Sequence, residues 1–306
     1  MRRLDDFRGQ RRETREGNRT VIQEPGRTIV REGDRTIIRH NETERFRAIA
    51  PNLRTERRGS NTITVLPRPG GVQVFTETDA SGRLLRRYRR DARGREIVII
   101  DNRGRGPRSF DSYFVQLPPP VIRIPRERYI VEADQADETL IYETLVAPPV
   151  ERLSRRYSLD EIRYSPEVRA RMPRIDIDTV TFDTGSWEVT PDQAGRLAPI
   201  AAAISRAVER NPNEVFLVEG HTDAVGSDID NLSLSDRRAE AVAIVLTEQF
   251  GVPPENLVTQ GYGEEQLKVP TEEAERRNRR VTVRRITPLL AQQNAQGDAP
   301  PPPPRR

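Results

Sequence analysis

Hydrophobic positions between residues 174 and 287 switch between two periods. Residues 175–182, IDIDTVTF, alternate apolar and polar side chains, which predicts a strand. Thr190-Pro191 then has the cap-then-first-turn order of a helix start, and Leu197, Ile200, Ala201, Ile204 and Val208 follow at helical spacing. Pro199 lies inside this pattern and predicts a kink or a late start. Asn211-Pro212-Asn213 ends the helix, and EVFLVE at 214–219 reads as a strand. A second helix is expected to begin between Asn231 and Ser235 and to bury Ala239, Val242, Ala243, Leu246 and Phe250. NLVTQGYG reads as strand and turn, TEEAERRN as a short helix and RRVTVRRI as a closing strand. Strands alternating with helices predict an α/β (α+β) two-layer domain with a mixed sheet packed on helices, at about 173–288.

The front of the chain repeats every eight residues: EGNRTVIQ, EPGRTIVR and EGDRTIIR span 16–39. Each unit is a Gly-containing turn followed by Arg-Thr and β-branched residues, so residues 1–60 are expected to form short strands joined by tight turns. Strands this short bury little. Asp79, Asp91 and Asp101 each open a D-x-x-G-R turn, which predicts consecutive hairpins over 61–110. Residues 117–127, LPPPVIRIPRE, should run extended. ADETLIYETLVAPP looks interrupted, and Ser158-Leu-Asp-Glu161 is a capping box starting a helix that ends before Pro173. Residues 111–172 therefore read as a proline-rich connecting region with short helices, and 289–306 as a disordered proline-rich tail.

Composition limits what this chain can be. Only 34% of its 306 residues are hydrophobic and 32% are charged, which points to one proper core with extended segments attached. Lys268 is the only lysine, so almost all positive charge is arginine. Residues 1–110 carry 27 Arg against 15 acids, +12, while the remainder carries −8. With no cysteine, disulfides, thiolate metal sites and thiol catalysis are excluded. No apolar run has the length of a membrane span, and MRRLDDFRGQ lacks the apolar core of a secretory signal.

The chemistry concentrates in GHTDAVGSDIDNLSLSDRRAEAV, residues 220–242. Asp223 lies in a loop leaving a sheet strand, and Arg238 lies fifteen residues on, in the helix that follows. Loops at that edge of α/β sheets form ligand clefts. A carboxylate and a guanidinium facing one cleft suit a ligand carrying an ammonium and a carboxylate close together, since Arg makes a planar two-pronged bond to a carboxylate.

VEGHTDAVG at 218–226, Asn231 with LSDRRAEAV at 234–242, TQGYGE at 259–264 and Asn278-Arg279-Arg280-Val281 resemble, in order and spacing, the OmpA-like C-terminal domain, a peptidoglycan-binding module of Gram-negative envelopes. The resemblance covers about 174–287. It implies that the ligand is diaminopimelate of the peptide stem, with Asp223 holding its ammonium and Arg238 its carboxylate. Thr222 and Asn231 would add hydrogen bonds, Asp183 matches an acidic position after the first strand, and Arg279 would flank the ligand. Ala274-Glu275 stand where the family often has Gly-Arg, and Pro270 is displaced, which puts one cleft wall in question.

The resemblance further implies a non-enzymatic protein that tethers envelope to cell wall, with no catalytic or metal-ligating residues and no cofactor. Its expected location is periplasmic, with the outer membrane or the cell wall, and the targeting segment is expected upstream of this chain. Peptidoglycan is the expected partner. The N-terminal region is left to contact the outer membrane or another envelope component, and nucleic acid is not expected. One rival reading is catalysis through His221, beside Asp223; the chain has only one other histidine, His40, and no nucleophile-elbow or metal-ligand spacing. The other rival is adhesion or polyanion binding by the Arg-rich hairpins, with the OmpA-like domain only as a tether.

Overall fold

A computed structural model describes residues 3–50, 52–103, 109–178, 180, 182–183 and 185–291. Of the tail expected to be disordered at 289–306, Leu289, Leu290 and Ala291 are instead buried, the two leucines packing with Ile286. The rest of the tail, from 292, and the third D-x-x-G-R turn beyond Arg103 lie outside the described residues.

The eight-residue repeat becomes a four-stranded antiparallel meander, β1 (Arg12–Glu16), β2 (Arg19–Glu24), β3 (Arg27–Glu32) and β4 (Arg35–His40). Each turn has two residues and places a glycine at positive φ: Gly17 at 63°, Gly26 at 75° after Pro25, and Gly33 at 62°. Helix α1 (Asp5–Arg8) precedes this sheet and α2 (Glu42–Ile49) follows it. A second antiparallel sheet has the order β5 (Arg54–Arg58), β6 (Asn61–Pro67), β7 (Gln73–Thr78), β8 (Leu84–Arg90) and β9 (Glu96–Asp101). Its D-x-x-G-R turns close as the residue types dictate. Asp79 Oδ1 accepts from the Ser81 and Arg83 amides at 2.8 and 3.1 Å, and Asp91 Oδ1 accepts from those of Arg93 and Arg95 at 2.9 Å each.

The connecting region contributes α3 (Arg126–Tyr129), β10 (Ile130–Glu132), α4 (Glu138–Val146), α5 (Leu159–Tyr164) and α6 (Pro166–Arg169). The Ser158 capping box forms: Ser158 N donates to Glu161 Oε2 at 2.8 Å, and Glu161 N to Ser158 Oγ at 3.2 Å. The rest of the chain supplies β11 (Arg174–Ile177), α7 (Pro191–Ala194), α8 (Ala198–Arg210), β12 (Phe216–Gly220), α9 (Asp228–Glu248), β13 (Leu257–Gly261) and β14 (Val281–Arg285). The third sheet is mixed, with order β10-β11-β14-β12-β13; β14 runs antiparallel to both of its neighbours. Helices α4, α8 and α9 cover one face, meeting Ile175, Phe216, Val218 and Val283. Leu217 and Val258 point the other way, toward Leu159, Ile162 and Val168 and toward Leu84, Ile99 and Ile100 of the second hairpin sheet. The α/β domain thus has α4, α8 and α9 on one face, and α5, α6 and the second hairpin sheet on the other.

Several expectations change. The late start at Pro199 holds: a 3-10 turn, Gly195–Leu197, separates α7 from α8, and Pro199 stands in the first turn of α8, where it removes no helical hydrogen bond. Helix α9 begins at Asp228, ahead of the 231–235 window, because Ser227 caps it by accepting from Asp230 N at 3.2 Å. TEEAERRN does not make an α-helix. Only a 3-10 turn, Arg276–Asn278, forms, since Asn278 ties itself to Val269 N and O at 2.9 and 2.8 Å and holds the segment as a loop. ADETLIYETLVAPP is not a loose connector: Ile141, Tyr142 and Leu145 of α4 enter the main core. Strand pairing in IDIDTVTF covers only Ile175–Ile177 on the β14 side.

Two constraints fix α9. It lies on β12 and β13 where both strands carry glycine. A Cβ on Gly220 would stand 1.9 Å from Ser235 O, and one on Gly261 2.3 Å from Asp236 N. The first hairpin sheet then docks on α9 through charge. Asp236, fully buried, accepts from Gly261 N at 2.8 Å and from Arg27 Nε at 2.9 Å, and lies 3.2 Å from His40 Nδ1. Next to it, Glu42 pairs with Arg45 (2.8 Å), Arg87 and Arg163 (3.3 Å). Arg45 and Arg87 continue to Leu257 O at 3.0 and 3.2 Å. No described helix is long and apolar enough to cross a membrane.

Gly220→Ala should cost at least about 2 kcal/mol in denaturant unfolding, because the clash is with backbone. Gly195→Ala, where nothing stands within 4 Å, should cost little. Equal effects would refute the close-approach role. A second expectation concerns pH. Burial alone would lower the His40 pKa, but the charge of Asp236 and hydrogen bonds to Asp236 and Glu42 raise it from 6.5 to about 9. The folded chain holds this proton to about pH 9, whereas the unfolded chain releases it near 6.5. Stabilisation on the order of 1–3 kcal/mol, present below pH 6.5, is therefore lost as pH rises to 9. Melting temperature should fall across this window in the wild type and stay nearly flat in His40→Gln; parallel declines would refute the assignment.

Candidate functional site

Strand β12 lies between β14 and the edge strand β13 of the mixed sheet and delivers His221, Thr222 and Asp223 at its C-terminal end. The exit is pinned twice: His221 N donates to Arg280 O at 3.0 Å and Thr222 N to Gly263 O at 2.9 Å. Asn231, in the first turn of α9, closes the loop. Its Nδ2 lies 3.3 Å from Asp223 O, 3.2 Å from Val225 O and 2.6 Å from Glu264 Oε2. Gly226, at φ 115°, brings the loop against that amide, where an added Cβ would stand 3.6 Å from Asn231 Oδ1.

Asp223 is mostly buried, and its Oδ2 accepts from Arg279 Nη1 at 2.6 Å. Its other oxygen accepts from no described residue. Arg238 is buried at 2% exposure, two residues beyond Asp236 on α9. Its Nε donates to Ser186 O at 3.0 Å and its Nη2 to Asp183 O at 3.4 Å, and the Phe182 ring lies 4.8 Å below the guanidinium. Burial, followed by the charge of Arg279, lowers its pKa to about 10, with Asp223 opposing. Arg238 therefore stays charged at neutral pH, and Asp223, Arg238 and Arg279 act on one another in a single locality. No ion pair within 4.0 Å joins Asp223 to Arg238, so neither quenches the other.

The structure brings Asp223, Arg238 and Arg279 together. Asp183 contributes its backbone carbonyl, and its side chain is exposed. Asn231 spends its amide protons on the loop and on Glu264. Thr222 is buried and its Oγ1 has no partner. Three contributors escaped the sequence reading. Phe182 beneath Arg238 carries no motif, the carbonyls of Asp183 and Ser186 have no side-chain signal, and Glu264 stands in the TQGYGE stretch without having been singled out.

The unusual loop before Asn278 is well anchored. Glu275 accepts from the Arg277 guanidinium at 3.0 and 3.2 Å and from Arg277 N at 3.0 Å, and these bonds, the guanidinium first, lower its pKa to about 2. Lys268 pairs with Glu132 at 2.5 Å and Asp176 at 3.2 Å. Arg280, one residue past the Asp223 partner, reaches Gln266 O at 3.0 Å.

His221 is sealed against the Tyr262 ring at 5.6 Å, and among the described residues neither of its ring nitrogens has a hydrogen-bond partner. Burial and then Arg280, Arg174 and Arg169 push its pKa well below 6.5, so it is neutral and is not set up to move protons at neutral pH. Ser227 caps α9, while Ser235 accepts from Gly263 N at 2.8 Å and donates to Leu232 O at 2.9 Å, so neither is aligned with His221 as a nucleophile.

Residues 181–280 match the OmpA family. The chain is 36% identical over 114 residues to outer membrane porin F of Pseudomonas aeruginosa, a match covering 37% of this chain and 31% of that protein. It is 39% identical over 88 residues to the peptidoglycan-associated lipoprotein of Agrobacterium fabrum, covering 29% and 47% respectively. With the putative lipoprotein YfiB of Escherichia coli it shares 30% identity over 113 residues, covering 36% of this chain and 68% of that one. The chain spans less than half the length of the first two relatives. Through residues 181–280, which hold β12, α9, β13 and the Asp223, Arg238 and Arg279 cluster, this chain belongs to the OmpA family.

Proposed function

We propose that this protein binds peptidoglycan without catalysis, through the free end of diaminopimelate in the peptide stem, and so tethers a Gram-negative envelope to its wall from the periplasmic side. One observation carries the reading: the end of β12 and the face of α9 bring an acid and a base into one place, and each keeps an unused edge. The free oxygen of Asp223 accepts from the ligand ammonium, while Arg279 holds the other oxygen and fixes the carboxylate. The carbonyls of Ser186 and Asp183 and the Phe182 ring hold the Arg238 plane, leaving its remaining N–H groups to fork onto the ligand carboxylate. Because Arg238 is buried, water competes weakly for those donors. The name of the Agrobacterium relative, a peptidoglycan-associated lipoprotein, is in keeping with this ligand.

Each charge-assisted hydrogen bond contributes about 1.5–3 kcal/mol. Two or three, less the ordering cost, give roughly micromolar to millimolar affinity per site. A wall that repeats the ligand turns such affinity into stable attachment.

Co-sedimentation with purified diaminopimelate-containing sacculi tests this. The wild type should pellet; Asp223→Asn should reduce pelleting affinity about tenfold or more at unchanged melting temperature, and Arg238→Lys should do so in a chain that still unfolds cooperatively. Sacculi carrying lysine in the stem keep the ammonium and lack the neighbouring carboxylate, so they should retain little wild-type protein. Equal retention on both wall types would refute the zwitterion reading.

A further inference from the structure

A cleft of about 510 Å³ opens between the two hairpin sheets. Thr28 and Arg39 line it from the first sheet, and Thr55, Arg57 and Thr62 from the second. Thr55 and Arg57 share one face of β5, and Arg57 is paired in register with Thr62. Arg47 of α2 adds a further guanidinium to the lining.

The charge of this cleft is not balanced within it. Of its two acids, Glu24 is paired outside the cleft and Asp79 faces it. Glu24 is held by Arg11 at 3.0 Å, by Arg237 at 3.3 Å and by Ser233. Asp79 keeps its charge, because its own turn gives it only neutral donors, the Ser81 amide, the Ser81 hydroxyl and the Arg83 amide. Among the cations, Arg27 is consumed by Asp236 and Glu240. Arg39 donates to the hydroxyls of Ser81 and Tyr113, and Ser81 links it to Asp79, so Arg39 and Arg57 together face a single acid. Arg57, on a fully exposed edge strand, pairs with no acid among the described residues. What remains is a concave surface with guanidinium groups on opposite walls and threonine hydroxyls between them.

We propose that this cleft is an anion site for phosphate groups, either a soluble phosphate or the phosphate of a lipid head group. A phosphate presents at least two charged, non-bridging oxygens, which suits guanidinium bonds from opposite walls supplemented by hydroxyl donors. The cleft shares no lining residue with Asp223, Arg238 or Arg279, so this site and the wall-binding reading stand or fall separately.

Titration of the full chain with inorganic pyrophosphate at low ionic strength, followed by calorimetry, tests it. The wild type should bind, added salt should weaken binding, and Arg57→Gln should weaken it about tenfold or more. Arg57 is exposed, so this variant should fold as the wild type does. Arg12→Gln, on the exposed strand β1 and outside the cleft, should bind normally. In a second arm, the chain is sedimented with phosphatidylglycerol vesicles and with phosphatidylcholine vesicles. Arg57-dependent pelleting with the former supports a lipid head group, and pyrophosphate binding without pelleting supports a soluble phosphate. No heat with pyrophosphate, or equal losses in Arg57→Gln and Arg12→Gln, overturns the proposal.

Discussion

Asp236 is the buried charge on which the two halves of this chain meet. Left alone, an ionised carboxylate with no solvent exposure costs several kcal/mol. Here it is satisfied from three directions: by Gly261 N from the sheet below, and by Arg27 and His40 from the hairpin sheet above. The first contact requires glycine at 261, because only then does α9 approach closely enough. The others require the repeat sheet to dock in one register, since β3 supplies Arg27 and β4 ends on His40. An apolar interface tolerates sliding, and a buried carboxylate with directional donors does not. The geometry that settles Asp236 also settles Arg238, two residues further along the same rigid helix.

Helix α9 divides its surface between these tasks. Asp230, Ser233, Arg237 and Glu240 recur at three- and four-residue spacing and meet the front half: Asp230 takes Arg8 and Arg11, Ser233 and Arg237 take Glu24, and Glu240 takes Arg27. Asn231 and Arg238 lie toward the ligand loop. The first residues of the chain close the gap between the two faces. Leu4 N donates to Gly185 O at 2.9 Å, Arg3 bridges Ser186, and Phe7 packs on Trp187 at 5.5 Å. Arg237 stacks on both of those rings, at 4.3 and 4.9 Å. The segment that presents the Asp183 and Ser186 carbonyls to Arg238 is therefore braced by a stretch of chain nearly two hundred residues away in sequence.

That long-range bracing marks where sequence reasoning stops. Local rules carried far: glycine turns every eight residues gave the meander, Asp79 and Asp91 gave their hairpins, Ser158 gave its cap and Pro199 its late start. The Asp223 and Arg238 pair was visible because both lie in one short motif. The start of α9 was misplaced because Ser227, Asp228 and Asp230 are residues that serve loops and helix starts equally, and only the cap bond separates the two. TEEAERRN has helical composition, but Asn278 bonds to Val269 across nine residues, and tertiary context overrides propensity. The positive excess of residues 1–110 offered a polyanion-binding patch as a rival reading. Part of it is not: Arg27 and Arg87 are buried against acids 45 to 213 residues away and Arg45 against one only three away, and no local pattern announces such partners.

The near-absence of lysine follows from what these buried cations do. Arg45 reaches Glu42 and two carbonyls, those of Pro254 and Leu257. Arg285 pairs with Glu214 while donating to Val146 O and Ala147 O at 3.1 Å each. Arg284 joins Glu219 to the carbonyls that end α6, at Arg169 and Met172. Each guanidinium neutralises an acid and satisfies backbone oxygens that loops and helix ends would otherwise bury unpaired. An ammonium has three donors around one point and cannot span such separated acceptors. The flat guanidinium also packs as an aromatic neighbour, as Arg45 and Arg87 do over Phe46 at 4.8 and 5.2 Å. Arginine can thus occupy interior positions that apolar side chains fill in other proteins, which is how a chain with 34% hydrophobic residues encloses three sheets.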